Sequence, residues 1–396
     1  MKLNYKQWKS LLLLELGLCI LYSIIKIIIN KDVNAINVGV SLFLVIYVIF
    51  IWSIKEKELR SKVQIVLRWV GILSLPWILE IIWLNLFSSW VGLTAKIKWL
   101  SGLVCLIGVI IYFLMFIPIV RVLFSKVSYP WMQMIAWLSL IPVVYDGLSK
   151  WNVVSHPYLT MIINTGALGA ITFIFIVRNL SDGWGYGSNL NLKFNHSQYF
   201  SQLIIWMLIG YALINIIWMN LSNSPFIFML YNATKSLSFN FRAICQATEA
   251  GVLEELCRYL TIIILFKWYN KKKSKLCWII VWSALIFSLQ HIVNLQSQTL
   301  WITVEQMIVV LGYGLFYADL FLYTGKLWLS MLLHGLLDYS VFINTQDSIF
   351  QNINPVLEQT IVLSLGLIIP MLLTIWLLTG KRKIVMQNNL LRLVEE

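Results

Sequence analysis

The chain has 396 residues, of which 60% are hydrophobic and only 12% charged, with a formal net charge of +13 and a mean hydropathy of +0.81. Soluble domains carry roughly 25% charged residues, so the composition excludes an ordinary soluble globule and predicts an all-α polytopic membrane protein. The positive charge does not point to nucleic acid, because it sits in short loops between apolar runs, the pattern that orients membrane proteins.

Runs of about 20 apolar residues mark candidate spans. About twelve are expected, near 8–29, 38–54, 69–88, 99–120, 131–147, 157–177, 199–219, 246–266, 276–295, 302–323, 327–343 and 359–379. The N-terminal run has no small-residue cleavage site after it and reads as a retained first span. Leu221–Cys245 mixes Asn, Ser and Pro with aromatics and reads as an interfacial or re-entrant segment. Basic residues collect at 55–62, 121–126, 178–193, 267–275, 326 and 381–383, and the alternate loops are poorer in them, Lys96 and Lys98 excepted. The bias places both termini on the cytoplasmic side of a multi-pass cell membrane. The basic loops then face anionic lipid.

The polar, glycine-bearing stretch 178–198 separates two halves. The expected organisation is 1–198, N-terminal membrane helices of unknown role; 199–343, the functional core; and 344–396, a last span with a basic tail. Five scattered cysteines give neither a disulfide framework nor metal-ligand spacing. Nothing in the sequence sets the oligomeric state.

All the informative polar residues fall in the second half. Ionisable side chains in hydrocarbon are expensive and mark function. Glu254 and Glu255 are adjacent, and Arg258 lies four residues after the first. Residues four apart share a helix face, so Arg258 is expected to hold Glu254 and leave Glu255 for proton transfer. Phe287 precedes His291 by four residues, Asn294 follows it by three, and His334 precedes Asp338 by four. A carboxylate on the same face can orient an imidazole. Two glutamates and two histidines permit either of two chemistries: a zinc site using His291, His334 and Glu254 or Glu255, or a metal-free water activated by a glutamate. Both hydrolyse a peptide bond without a serine or cysteine nucleophile.

These motifs, in this order, resemble the CPBP family of intramembrane proteases, also called the Abi or CAAX-protease family. The resemblance covers about 245–343 and includes the run Tyr323-Thr-Gly-Lys-Leu-Trp-Leu-Ser-Met-Leu-Leu-His334. It implies Glu254, Glu255, His291 and His334 as catalytic residues around a wet intramembrane cavity, with Arg258, Asp338, Phe287 and Asn294 in support. It also implies an endopeptidase acting on a membrane-associated protein or peptide. In bacterial relatives such activity serves peptide or bacteriocin maturation, immunity or surface-protein regulation, and some relatives act as non-proteolytic scaffolds. The Lys-, Ile- and Asn-rich composition points to a bacterial plasma membrane. The common family spacing puts the arginine four residues after the second glutamate. Here it is three after Glu255, so the family order favours Glu254 as the base and the helix spacing favours Glu255. A transporter is the third reading, with Glu15, Glu80, Asp146, Glu305 and Asp319 lining a pathway, but no paired broken helices in matching halves support it.

Overall fold

A computed structural model describes residues 3–30, 35–54, 62–151, 156–186, 199–219, 239–270, 272–345 and 363–395. Most of Leu221–Cys245 and of the loops at 55–62, 187–198 and 344–358 lies outside the described residues, as does His196. The described chain is helical throughout and divides into two compact units, Met1–Gly185 and Tyr186–Glu396.

The first unit holds α1 (Tyr5–Asn30), α2 (Ala35–Ser53), α3 (Lys62–Thr94), α4 (Lys98–Val122), α5 (Pro130–Leu138), α6 (Ile141–Ser149), α7 (Pro157–Asn164) and α8 (Ala167–Gly183). Its core is aromatic. Trp83 packs edge-on against Tyr112 and Trp151, and its indole N–H donates to Gly108 O at 3.1 Å. Arg121 at the end of α4 reaches Asn179 and Asp182 on α8 at 2.6 and 2.9 Å.

The second unit holds α9 (Gln202–Met219), α10 (Phe241–Trp268), α11 (Leu276–Gln290), α12 (Leu300–Thr324), α13 (Leu327–Thr345), α14 (Ile369–Leu377) and α15 (Gly380–Glu395). Their ends follow local chemistry. Asn240 caps α10 by accepting from Ala243 N, and Thr299 caps α12 by accepting from Ile302 N. Gly325 closes α12 at φ +68°, a left-handed position that suits glycine. α10 and α13 approach each other closely. A Cβ on Gly251 would lie 2.6 Å from Met331 O and 2.8 Å from Gly335 N. Small residues allow such backbone contact in membrane bundles.

The protein is a polytopic α-helical membrane protein. Its spans differ from the expected twelve. Five described helices are long and apolar enough to cross a membrane, or up to seven if two bent pairs each count as one. Three causes account for the difference. The run 157–177 is split into α7 and α8, bent by 54°, and the last expected span bends by 88° into the helix that follows it. Four of the expected spans contain apolar helices of only 10–17 residues, Val38–Ser53, Pro130–Val144, Gln202–Ile217 and Leu327–Ile343. The 28-residue α10 is long enough, but Glu249, Glu254, Glu255, Arg258 and Lys267 give it too many charges for a purely apolar span.

Candidate active site

The site is built on α10, α11, α12 and α13. The two glutamates sit midway along α10, one facing inward and one toward open space. Glu255 is fully buried, whereas the Glu254 side chain is 26% exposed. Arg258 pairs with Glu255, Nη1 to Oε1 at 2.8 Å. The expectation from the four-residue spacing, that Arg258 holds Glu254, is therefore corrected. Residues three and four apart both share a face, and tertiary packing decides between them. The guanidinium lies over the Phe287 ring, Cζ to centroid 4.1 Å, and 5.7 Å from the Tyr317 ring. Those aromatic faces hold the cation on the inner side of α10, next to Glu255.

His334 on α13 meets three carboxylates. Its Nδ1 is 2.7 Å from Glu255 Oε1. Its Nε2 is 3.4 Å from Glu254 Oε2 and 3.5 Å from Asp338 Oδ2. An ionised carboxylate only accepts, so the short contact assigns a proton to Nδ1. Tyr317 on α12 stacks on the same imidazole, with centroids 4.7 Å apart and planes 14° from parallel. The ring is thus held at both its edge and its face.

His291 is the residue on which α11 ends and a 3-10 segment, His291–Gln296, begins. Its Nδ1 lies 3.2 Å from Phe287 O. A carbonyl only accepts, so in the neutral ring Nδ1 carries the hydrogen and Nε2 is the lone-pair atom. The Phe287 ring packs edge-on against His291 at 5.2 Å and His334 at 6.2 Å, with Arg258 over its face. Phe287 thereby joins α10, α11 and α13. Asn294 donates to Gln306 Oε1 at 2.9 Å, tying the 3-10 segment to α12.

Glu254, Glu255, His334, Asp338, Arg258 and Phe287 therefore lie together, His291 borders them through Phe287, and Asn294 holds the segment that begins at His291. Sequence reasoning missed Tyr317, Gln306 and the Gly251–Gly335 contact. Gln306 carried a signal, being a buried amide in an apolar helix. Tyr317 carried none, because α12 also contains Tyr313 and Tyr323. Of the scattered acids, Asp319 is buried and accepts a hydrogen bond from Thr374 at 2.6 Å, as a buried structural carboxylate would. The side chain of Asp146 lies outside the described residues.

Zinc needs three or four donors at about 2.0–2.3 Å. Among the described residues no three His, Cys, Asp or Glu side chains are grouped to hold a metal. His291 and His334, offered by the sequence as ligands with Glu254 or Glu255, do not form such a set. The Nδ1 atoms of both are engaged, by Phe287 O and by Glu255, so Nε2 is the ring atom each has left to face a ligand.

Residues 235–340 match the family model described as type II CAAX prenyl endopeptidase Rce1-like, and every residue of the cluster falls inside that match. Over this stretch the chain is similar to the CPBP, or CAAX-protease, family. No curated protein and no solved structure matches the chain. The CAAX-protease match covers α10 to most of α13 and leaves the whole first unit outside it.

Proposed function

We propose that the second unit is an intramembrane endopeptidase that cleaves a membrane-associated protein or peptide with a water activated by Glu254. The observation that carries this reading is the unequal environment of the two glutamates. Glu255 is spent on Arg258 and on His334 Nδ1. Glu254 is partly open and faces His334 Nε2 at 3.4 Å. His334 Nε2 faces the Glu254 and Asp338 oxygens at 3.4 and 3.5 Å, on the side where Glu254 is partly exposed. A water hydrogen-bonded to the Glu254 carboxylate on this side is the nucleophile of the proposal.

In the reaction Glu254 takes one proton from that water as its oxygen bonds to the scissile carbonyl carbon. The carbonyl π pair moves to oxygen and gives a tetrahedral oxyanion. Collapse restores the carbonyl and breaks the C–N bond, and Glu254 returns the proton to the leaving amine. Glu255 and Tyr317 keep the imidazole in one tautomer and one plane. Arg258 neutralises Glu255, so that one of the three carboxylates around His334 has a permanent counter-charge. Asp338 shares the Nε2 side with Glu254.

The Rce1-like match supports protease activity at the level of the family. The substrate class, roles such as bacteriocin maturation or immunity, and a scaffold function are separated by one comparison. Membrane proteomes are measured from cells carrying wild type, Glu254→Gln or a deletion. A terminus present with wild type and missing from the other two identifies cleavage and substrate together. Full complementation of the deletion by Glu254→Gln would instead assign a non-proteolytic scaffold.

A further inference from the structure

The C-terminal helix and the turns beside it build a strongly basic surface, with Glu395 at the helix end the acidic residue of α15. α15 turns 88° from the apolar helix before it. The turn is made at Gly380, φ +58°, where the left-handed backbone favours glycine. α15 therefore runs across the end of the second unit and does not extend its predecessor. One face is completely buried through Val385, Met386, Asn389, Leu390 and Leu393. Asn389 Nδ2 donates to Leu322 O and Tyr323 O at 2.9 and 3.0 Å, on the last turn of α12. Gln387 donates to Lys273 O at 3.0 Å. The helix so clasps the α10–α11 turn and the end of α12.

These connections all lie at one end of the unit and carry Lys272, Lys273, Lys275, Lys326, Lys381, Lys383 and Arg392. Not one Asp or Glu occurs in 267–275, 325–328 or 378–394. Lys272, Lys273 and Lys381 are exposed. Arg392 adds its charge to the burial that lowers the pKa of Lys326, so two cations stand near each other in the turn before α13. Aromatic side chains line the same end. Arg382 stacks on Trp376 at 4.0 Å, Lys381 on Tyr199 at 5.2 Å, and Trp268 is half exposed. Trp and Tyr gather at the level of lipid headgroups. An in-plane helix with an apolar buried side and a lysine-rich edge suits that depth. At the opposite end, the turn 291–299 has neither Lys nor Arg.

We propose that this basic end is a docking surface for anionic glycerophospholipid headgroups, and that bound lipid holds α15 against α12 and the α10–α11 turn. Headgroup phosphates are the occupant because the cations lie at the headgroup level of the protein's own membrane. Each lysine or arginine near an anionic surface strengthens such binding about fivefold. The proposal does not depend on peptidase activity.

The test uses the full chain purified in a neutral detergent. Its thermal unfolding midpoint is read with added phosphatidylglycerol, phosphatidylcholine or inorganic phosphate. Phosphatidylglycerol should raise the midpoint of wild type by roughly 4 °C, and about 0.5 M salt should remove the rise. The variant K272Q/K273Q/K381Q/K383Q should lose most of the rise, K381R/K383R should keep it, and K96Q/K98Q in the first unit should keep it. An equal rise in the fourfold variant, or an equal rise with phosphatidylcholine, overturns the proposal. A rise reproduced by inorganic phosphate also overturns it, in favour of a small-anion site. If the fourfold variant fails to fold, the comparison of K381Q/K383Q with K381R/K383R decides by the same reading.

Discussion

His334 touches three carboxylates, and the three contacts are unequal. The 2.7 Å contact to Glu255 is a charge-assisted hydrogen bond, whereas the 3.4 and 3.5 Å approaches of Glu254 and Asp338 are longer and weaker. Substitutions at these positions should therefore separate chemistry from folding. Glu254→Gln keeps shape and burial but removes the base. Cleavage should fall about 10²–10⁴-fold at an unchanged level of folded protein, read as product formation against membrane abundance. Arg258→Ala acts the other way. It leaves Glu255 buried without its counter-charge, a loss that costs about 3–5 kcal/mol in comparable buried pairs. The amount of folded protein recovered from the membrane should drop, and a normal yield would remove this ion pair from the account. Asp338→Asn retains a group that can hydrogen-bond, so its loss of cleavage should be nearer tenfold. The residue types were legible from their cost in an apolar segment, but the partner of Arg258 was not. Sequence spacing allows the guanidinium to reach either glutamate, and the choice is made by rings on two other helices, Phe287 and Tyr317.

At the scale of elements, the site depends on how closely α10 and α13 approach. Gly251 and Gly335 stand within a turn of Glu254 and His334, and backbone fills the space where a Cβ on Gly251 would go. Gly251→Ala must push α13 away, which for an overpacked contact costs about 1–3 kcal/mol. Gly335→Ala meets only Ala247 O at 3.1 Å and should be milder. Thermal unfolding of the two variants should rank them in that order, and the reverse order would mean that the helices meet elsewhere. Most helices were readable from hydropathy, but their breaks were not. α11 stops at His291, where apolar character continues through Ile292, Val293 and Leu295, so the sequence extends the span. The bend at Gly166 follows Asn164 and Thr165, a stop signal that the apolar residues on either side outweigh in a hydropathy reading. α10 was legible only by accepting that charges can belong to a membrane helix.

At the scale of the whole molecule, the second unit carries its basic turns at one end and the cluster partway along the helices that meet there. At 1.5 Å per residue, Glu255 lies about 20 Å along α10 from Trp268, and His334 about 11 Å along α13 from its start, so the cluster sits well along the helices, away from the basic end. If the basic end is cytoplasmic, a cysteine placed at Lys272 in a cysteine-free background should resist an impermeant reagent added outside whole cells and react after lysis. Labelling from outside would invert the map. The central claim is that a water activated by Glu254 cuts a peptide bond at this cluster. Purified protein in liposomes, given the peptide found by the proteome comparison in H₂¹⁸O, tests it most directly. Wild type should place one ¹⁸O in the new carboxylate of the product, with the same rate after treatment with a zinc chelator, and Glu254→Gln should give no product above background. Cleavage by Glu254→Gln at the wild-type rate would contradict the account.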